Sequence, residues 1–122
     1  YYLYEKLVEA HCVKSVRYIR ENYGNHISIE ALAKMESYNA AYFTDWFKKQ
    51  MGVSPSTYIR QVRIAKAKEL LSTSQYSLTD IAGQVGYKGS PSFSRAFREM
   101  EGISPLEYRR KNRLEDAPII SE

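Results

Sequence analysis

Two short stretches carry the side chains best placed to act on another molecule. One holds Ala41, Thr44, Asp45, Lys48 and Lys49; the other holds Pro91, Ser94, Arg95 and Arg98. Within each, the spacings of three and four gather side chains on one side of an α-helix. The groups suit recognition by hydrogen bonds. Arg95 offers a planar fork that can donate twice, to guanine O6 and N7. Thr44 and Ser94 are short hydroxyls able to meet a base or a phosphate. Lys48, Lys49 and Arg98 come later, where contact with phosphate would hold position without reading sequence. Lys49 and Arg98 read equally well as ordinary solvated charges.

The same search finds no chemistry of bond making. No nucleophile sits beside a base, no carboxylates pair, and no glycine-rich loop is built to cradle phosphate. The chain therefore reads as no enzyme, with no cofactor. His11, Cys12 and His26 are the conceivable metal ligands. Neighbouring residues on a helix diverge by about 100°, and no two of these three are four residues apart, so no metal is expected. Cys12 falls on an apolar stripe and reads as a small buried group.

The elements that must position these residues are helices throughout. Val8, Cys12, Val16, Ile19 and Tyr23 form the stripe of a first helix, with Gly24 placed to end it. Ser28 caps a second, holding Ile29, Leu32 and Ala33. A third begins near Asn39, turns Phe43 and Phe47 inward and closes at Gly52. Ser54-Pro55 starts a long fourth helix through Ile59, Val62 and Leu70. Ser77 caps a fifth with Leu78, Ile81 and Ala82. Ser90-Pro91 starts a sixth with Phe93, Phe97 and Met100 inward, closed by Gly102. Ser104-Pro105-Leu106-Glu107 reads as a capping box opening a seventh.

These helices repeat. A shift of 50 residues lays Phe43 on Phe93, Phe47 on Phe97, Lys48 on Arg98, Gly52 on Gly102 and Ser54-Pro55 on Ser104-Pro105. Upstream a shift of 49 lays Ser28 on Ser77, Leu32-Ala33 on Ile81-Ala82 and Tyr38 on Tyr87, so the second copy has one extra residue in its turn. Each copy is a short capped helix, a tight turn and a second helix with two inward phenylalanines: a helix-turn-helix outline. A plain bundle would explain the phenylalanines but not the hydroxyl and cationic groups opposite them. The expected architecture is all-α: seven helices forming two helix-turn-helix subdomains, 8–53 and 73–113, joined by a linking helix over 54–72.

Charge follows the same division. Residues 1–37 carry five basic and five acidic groups; residues 38–113 carry thirteen and six; the tail from Leu114 to Glu122 has three acids and no base. A neutral front and a basic body point to a polyanionic partner. The tail is expected to be disordered. No run reaches the roughly 18 apolar residues of a membrane span, and no signal peptide is evident. A single cysteine suits a reducing, cytoplasmic setting. The chain starts at Tyr1, and we expect residues 1–7 to end a connector from a further upstream domain.

From Ser28 to Arg110, about two thirds of the chain, the sequence resembles the DNA-binding domain of the AraC/XylS family of bacterial transcription regulators. The residues that carry the likeness include Leu32-Ala33, Tyr42-Phe43-Thr44-Asp45-Trp46-Phe47-Lys48-Lys49, Gly52, Ser54-Pro55, Tyr58, Arg63, Ala67 and Leu70-Leu71. It continues through Ile81-Ala82, Val85-Gly86-Tyr87, Ser92-Phe93-Ser94-Arg95-Ala96-Phe97-Arg98, Gly102, Ser104-Pro105 and Tyr108-Arg109.

The resemblance implies seven helices and sequence-specific binding of double-stranded DNA. It implies recognition helices near 40–51 and 91–101 in two successive major grooves. Base contacts are implied at Ala41, Thr44, Asp45, Ser90, Pro91, Ser94 and Arg95. It also implies RNA polymerase as a partner, with an upstream sensor or receiver domain through which the protein can dimerise. A fourth helix from Pro55 to about Leu71, roughly 26 Å at about 1.5 Å per residue, fits half-sites about one turn apart once the width of a helix is added at each end. Trp46 is expected in packing rather than on a nucleotide, and Arg63 to brace the two units. Two residues depart from the family pattern. Asp45 stands where the second copy has Arg95, and is expected to accept from cytosine N4 or pair with Lys48 or Lys49. Glu36 stands where the second copy has the apolar Val85. Both support an alternative reading, a degenerate domain that binds RNA polymerase or another regulator as a protein-interaction module.

Overall fold

The computed structural model describes residues 13–113. The expectations for the connector, for Val8, His11 and Cys12, and for the tail from Leu114 lie outside the described residues. Among the described residues there are seven helices and no strand: α1 Val13–Asn22, α2 Ile29–Met35, α3 Ala40–Met51, α4 Pro55–Thr73, α5 Leu78–Gln84, α6 Ser90–Glu101 and α7 Pro105–Asn112. None of these helices is long and apolar enough to cross a membrane. Two compact units divide between Val62 and Arg63, inside α4.

Local chemistry sets most boundaries. The Ser28, Ser54, Ser77 and Ser104 hydroxyls each accept from the N–H three residues on, at 3.1–3.2 Å. Each satisfies a donor that the first turn leaves without a partner. Gly52 and Gly102 close α3 and α6 at φ +84°, and their N–H groups return to Lys48 O and Arg98 O at 2.8 Å. A residue with a Cβ is strained at that φ, which is why glycine stands there.

Two boundaries differ from the sequence reading. The first helix ends at Asn22 without a left-handed glycine. Asn22 Nδ2 donates back to Tyr18 O at 3.0 Å and Asn25 N–H to Asn22 O at 3.0 Å, so an amide side chain does the work assigned to Gly24. In α6 the cap is Gly89, not Ser90; Ser90 and Pro91 are the first two helical residues. The phase is fixed by the core: Phe93 N–H meets Gly89 O at 3.2 Å as Phe43 N–H meets Asn39 O at 2.9 Å. Keeping that phase moves this Ser-Pro pair one place into the helix.

In the first unit Val16, Ile19, Leu32, Phe43 and Phe47 are almost wholly buried, with Met51, Tyr58 and Ile59 around them. In the second, Ile64, Ala67 and Leu71 of α4 are buried, as are Ile81, Val85, Phe93 and Phe97. Val62, Leu70 and Met100, expected inward, are only half-buried; Ala96 takes the third buried place on α6. The aromatic pairs repeat. Phe43–Phe47 and Phe93–Phe97 centroids lie 5.6 and 5.8 Å apart, and Phe47–Tyr58 and Phe97–Tyr108 lie 5.8 and 5.5 Å apart, edge to face. Such rings hold the second helix of each unit at a fixed rotation about its axis, because turning it would expose both phenylalanines.

Candidate nucleic-acid interface

The tight turn of each unit is built the same way. Tyr38 N–H reaches Ala33 O at 2.9 Å, and Tyr87 N–H reaches Ala82 O at 2.8 Å. One residue in each turn is left-handed: Gly86 at φ +103° and Ser37 at φ +65°. The chain thus reverses sharply and delivers the N-terminus of α3 or α6 to the surface. Asn39 caps α3 through its side chain, accepting from Tyr42 N–H at 2.9 Å.

On α3, Ala41, Asp45, Lys48 and Lys49 are exposed and Thr44 is half-buried. All five thus lie opposite or beside the phenylalanine face, as the spacing required. Thr44 Oγ1 donates to Ala40 O at 3.0 Å, so its hydrogen is spent inside the helix. The expected pairing of Asp45 with Lys48 or Lys49 is absent among the described residues. On α6, Pro91, Arg95 and Arg98 are exposed while Ser90 and Ser94 are half-buried. Arg95 and Arg98 form no ion pair among the described residues, so both guanidinium groups present their donors outward. The second unit therefore offers two free cations on its exposed helix face. The first offers an acid early and two lysines a turn later.

Sequence reasoning missed Tyr42, whose side chain is 52% exposed at the third residue of α3. Its ring meets Tyr38 edge to face at 4.6 Å, and Tyr38 in turn meets Trp46 at 5.0 Å. The matched residue in α6 is Ser92. The signal available was the i, i+4 spacing of Tyr38, Tyr42 and Trp46. Trp46 itself is half-buried against Phe43, 6.0 Å away, in the packing role expected of it.

Glu36 and Arg63 both have partners in the structure. The Glu36 carboxylate accepts from both Ser15 N–H and Ser15 Oγ, each at 2.8 Å, and Ser15 is fully buried. Glu36 therefore satisfies two donors of Ser15 that would otherwise be buried without a partner. Arg63 lies 5.7 Å from the Tyr87 ring centre, within the second unit. Burial pushes its pKa down, and Tyr87 offsets this in part. Arg63 packs there against the turn that launches α6. Arg109 does similar work on α4: its Nε donates to Leu71 O at 3.2 Å and its Nη2 to Ser74 O at 3.3 Å. Desolvation and then Arg113 lower its pKa. A cation on the last carbonyls of a helix is favourable.

Comparison with known proteins agrees with this geometry. A family model described as a helix-turn-helix domain matches residues 32–111. The HTH-type transcriptional regulator YobQ of Bacillus subtilis is 37% identical over 108 residues, 88% of this chain and 44% of that protein. The chain thus spans under half the length of this curated relative. Among solved structures, the C-terminal domain of AraT, a response regulator from Geobacillus stearothermophilus, superposes with a TM-score of 0.79 at 28% identity, covering 83% of this chain and 84% of that one. The DNA-binding domain of AdpA, a global transcriptional factor in complex with a target DNA, superposes with a TM-score of 0.76 at 28% identity, covering 80% and 88%. With two matched helix-turn-helix units, and with these relatives, the chain belongs to the AraC-type helix-turn-helix family of DNA-binding domains.

Proposed function

We propose that the chain binds double-stranded DNA sequence-specifically to regulate transcription, with α3 and α6 in successive major grooves. Ala41, Thr44 and Asp45 on α3, and Ser90, Pro91, Ser94 and Arg95 on α6, face base edges. Lys48, Lys49 and Arg98 hold phosphates, fixing register without reading sequence. The observation that carries this reading is the free, exposed Arg95 in the first half of a helix whose rotation two buried phenylalanines fix. It can donate twice to guanine. In the full protein, an upstream sensor or receiver domain supplies the signal and a means of dimerisation, RNA polymerase is the partner acted upon, and the setting is cytoplasmic.

The test is binding of labelled duplex across a salt series. If about six phosphates are neutralised, affinity falls on the order of a thousandfold between about 50 and 200 mM salt. A flat response would refute it.

A further inference from the structure

The first unit lacks what the second uses to read a purine. Before Lys48, the exposed side of α3 carries no cation. Its one early charged group is Asp45, an acceptor, and the Thr44 hydrogen is committed to Ala40 O at 3.0 Å. Guanine O6 and N7 and adenine N7 are acceptors and need donors. Beside Asp45, what α3 presents is mainly apolar surface: the exposed methyl of Ala41 and the Tyr42 ring next to it, whose phenol is the one hydroxyl there not bonded within the helix.

That ring is a built feature. Helical side chains lean towards the N-terminus, so Tyr42 covers the leading end of α3, the end that meets bases in a helix-turn-helix. Tyr38 holds it edge to face at 4.6 Å, and Trp46 holds Tyr38 at 5.0 Å, so little freedom is left to lose on binding. Tyr42 also borders the exposed face on the side of Lys49, two turns on. The second unit has no counterpart: Ser92 occupies the place, with its hydroxyl bonded to Gly89 O at 3.2 Å.

We propose that the first unit reads the 5-methyl groups of thymine through Ala41 and the Tyr42 ring, and not purine acceptors. Thymine is the base that offers an apolar group in the major groove. The two units then divide the chemistry of recognition: methyl contact under α3, hydrogen bonding to guanine under Arg95 of α6. This rests on the DNA-binding reading above.

The experiment starts from the tightest duplex that selection from a random pool returns for the whole chain. Substituting 7-deazaguanine for each guanine deletes an N7 acceptor and locates the half-site under Arg95. Substituting uracil for each thymine deletes one methyl. In the other half-site, one or two uracils should weaken the protein about fourfold each, the equivalent of one buried methyl, and 7-deazaguanine should change nothing. Tyr42→Phe should keep the uracil response. Tyr42→Ala should bind more weakly and lose that response. The inference is overturned if no uracil in that half-site matters to the unaltered protein, if 7-deazaguanine weakens binding there, or if Tyr42→Ala keeps the full response. If selection returns no duplex at all, the DNA-binding reading falls first and this one with it.

Discussion

Replacing Glu36 by valine, the residue its sister unit carries at Val85, should weaken the first unit rather than regularise it. The carboxylate accepts two bonds of 2.8 Å from Ser15, whose side chain and backbone are wholly buried. In Glu36→Val both Ser15 donors lose the acceptor they share, and the backbone N–H cannot turn to seek another. Leaving these two buried donors without an acceptor costs at least about 1–3 kcal/mol. Against this, valine at a half-buried place regains about 1 kcal/mol. The net loss should be about 1–2 kcal/mol. Urea titration followed by far-ultraviolet circular dichroism reads it as a midpoint lower by about 0.5–1 M, for a slope of about 2 kcal/mol/M. Ser15→Ala should cost about 1 kcal/mol alone. The double variant should lose about 1 kcal/mol less than the two together, since the hydroxyl and its acceptor go as a pair. A Glu36→Val protein as stable as the original, or strictly additive costs, would refute the capping role.

Arg95→Ala should cost about 1–3 kcal/mol at one base pair, whereas Lys49→Ala should weaken all sequences alike; a panel of single-base duplex variants separates the two, and an even loss for Arg95→Ala refutes its role. Footprints should show a sharp half-site under α6 and a weaker one about 10 base pairs away. Asp45→Arg should raise affinity generally and alter preference only in that weaker half, and abolished binding would show Asp45 to be a reader or a structural partner. Gly86→Ala forces a Cβ onto φ +103° and should cost about 1–2 kcal/mol. At φ +65°, Ser37→Gly should change stability by less than about 1 kcal/mol, because strain relieved is offset by added freedom in the unfolded chain. Thermal melts compare the two turns.

What could be read from sequence was local or periodic. Gly52, Gly102 and the four serine caps act within four residues of themselves, and Phe43, Phe47, Phe93 and Phe97 show themselves by their helical period, so spacing alone places them. The reading of Glu36 as a blemish failed because its partner lies 21 residues away and on another helix. No local pattern announces that a misplaced acid is a cap. Arg109 is similar, 38 residues from Leu71. The Ser90-Pro91 register failed for the opposite reason. A good local signal was overruled by packing, because Phe93 and Phe97 must stay in phase with the core. Thr44 and Asp45 show a third limit: sequence places a side chain on a face, but not what its hydrogen is already bonded to, nor whether a nearby lysine takes up its charge.

The continuity of α4 from Pro55 to Thr73 has a consequence for how the chain folds. Starting a helix is unfavourable by about a thousandfold, while each further residue extends it at little cost. Tyr58 and Ile59 anchor its first half in one core, and Ile64, Ala67 and Leu71 anchor its second half in the other. Whichever unit forms first therefore hands its neighbour a helix already begun, and the neighbour need only lengthen it. That initiation step is met once where two separate domains would meet it twice. The two units are coupled in stability through the backbone they share. A proline at the exposed Gln61 would break the shared helix and raise the cost of folding in both, although no buried side chain is itself replaced.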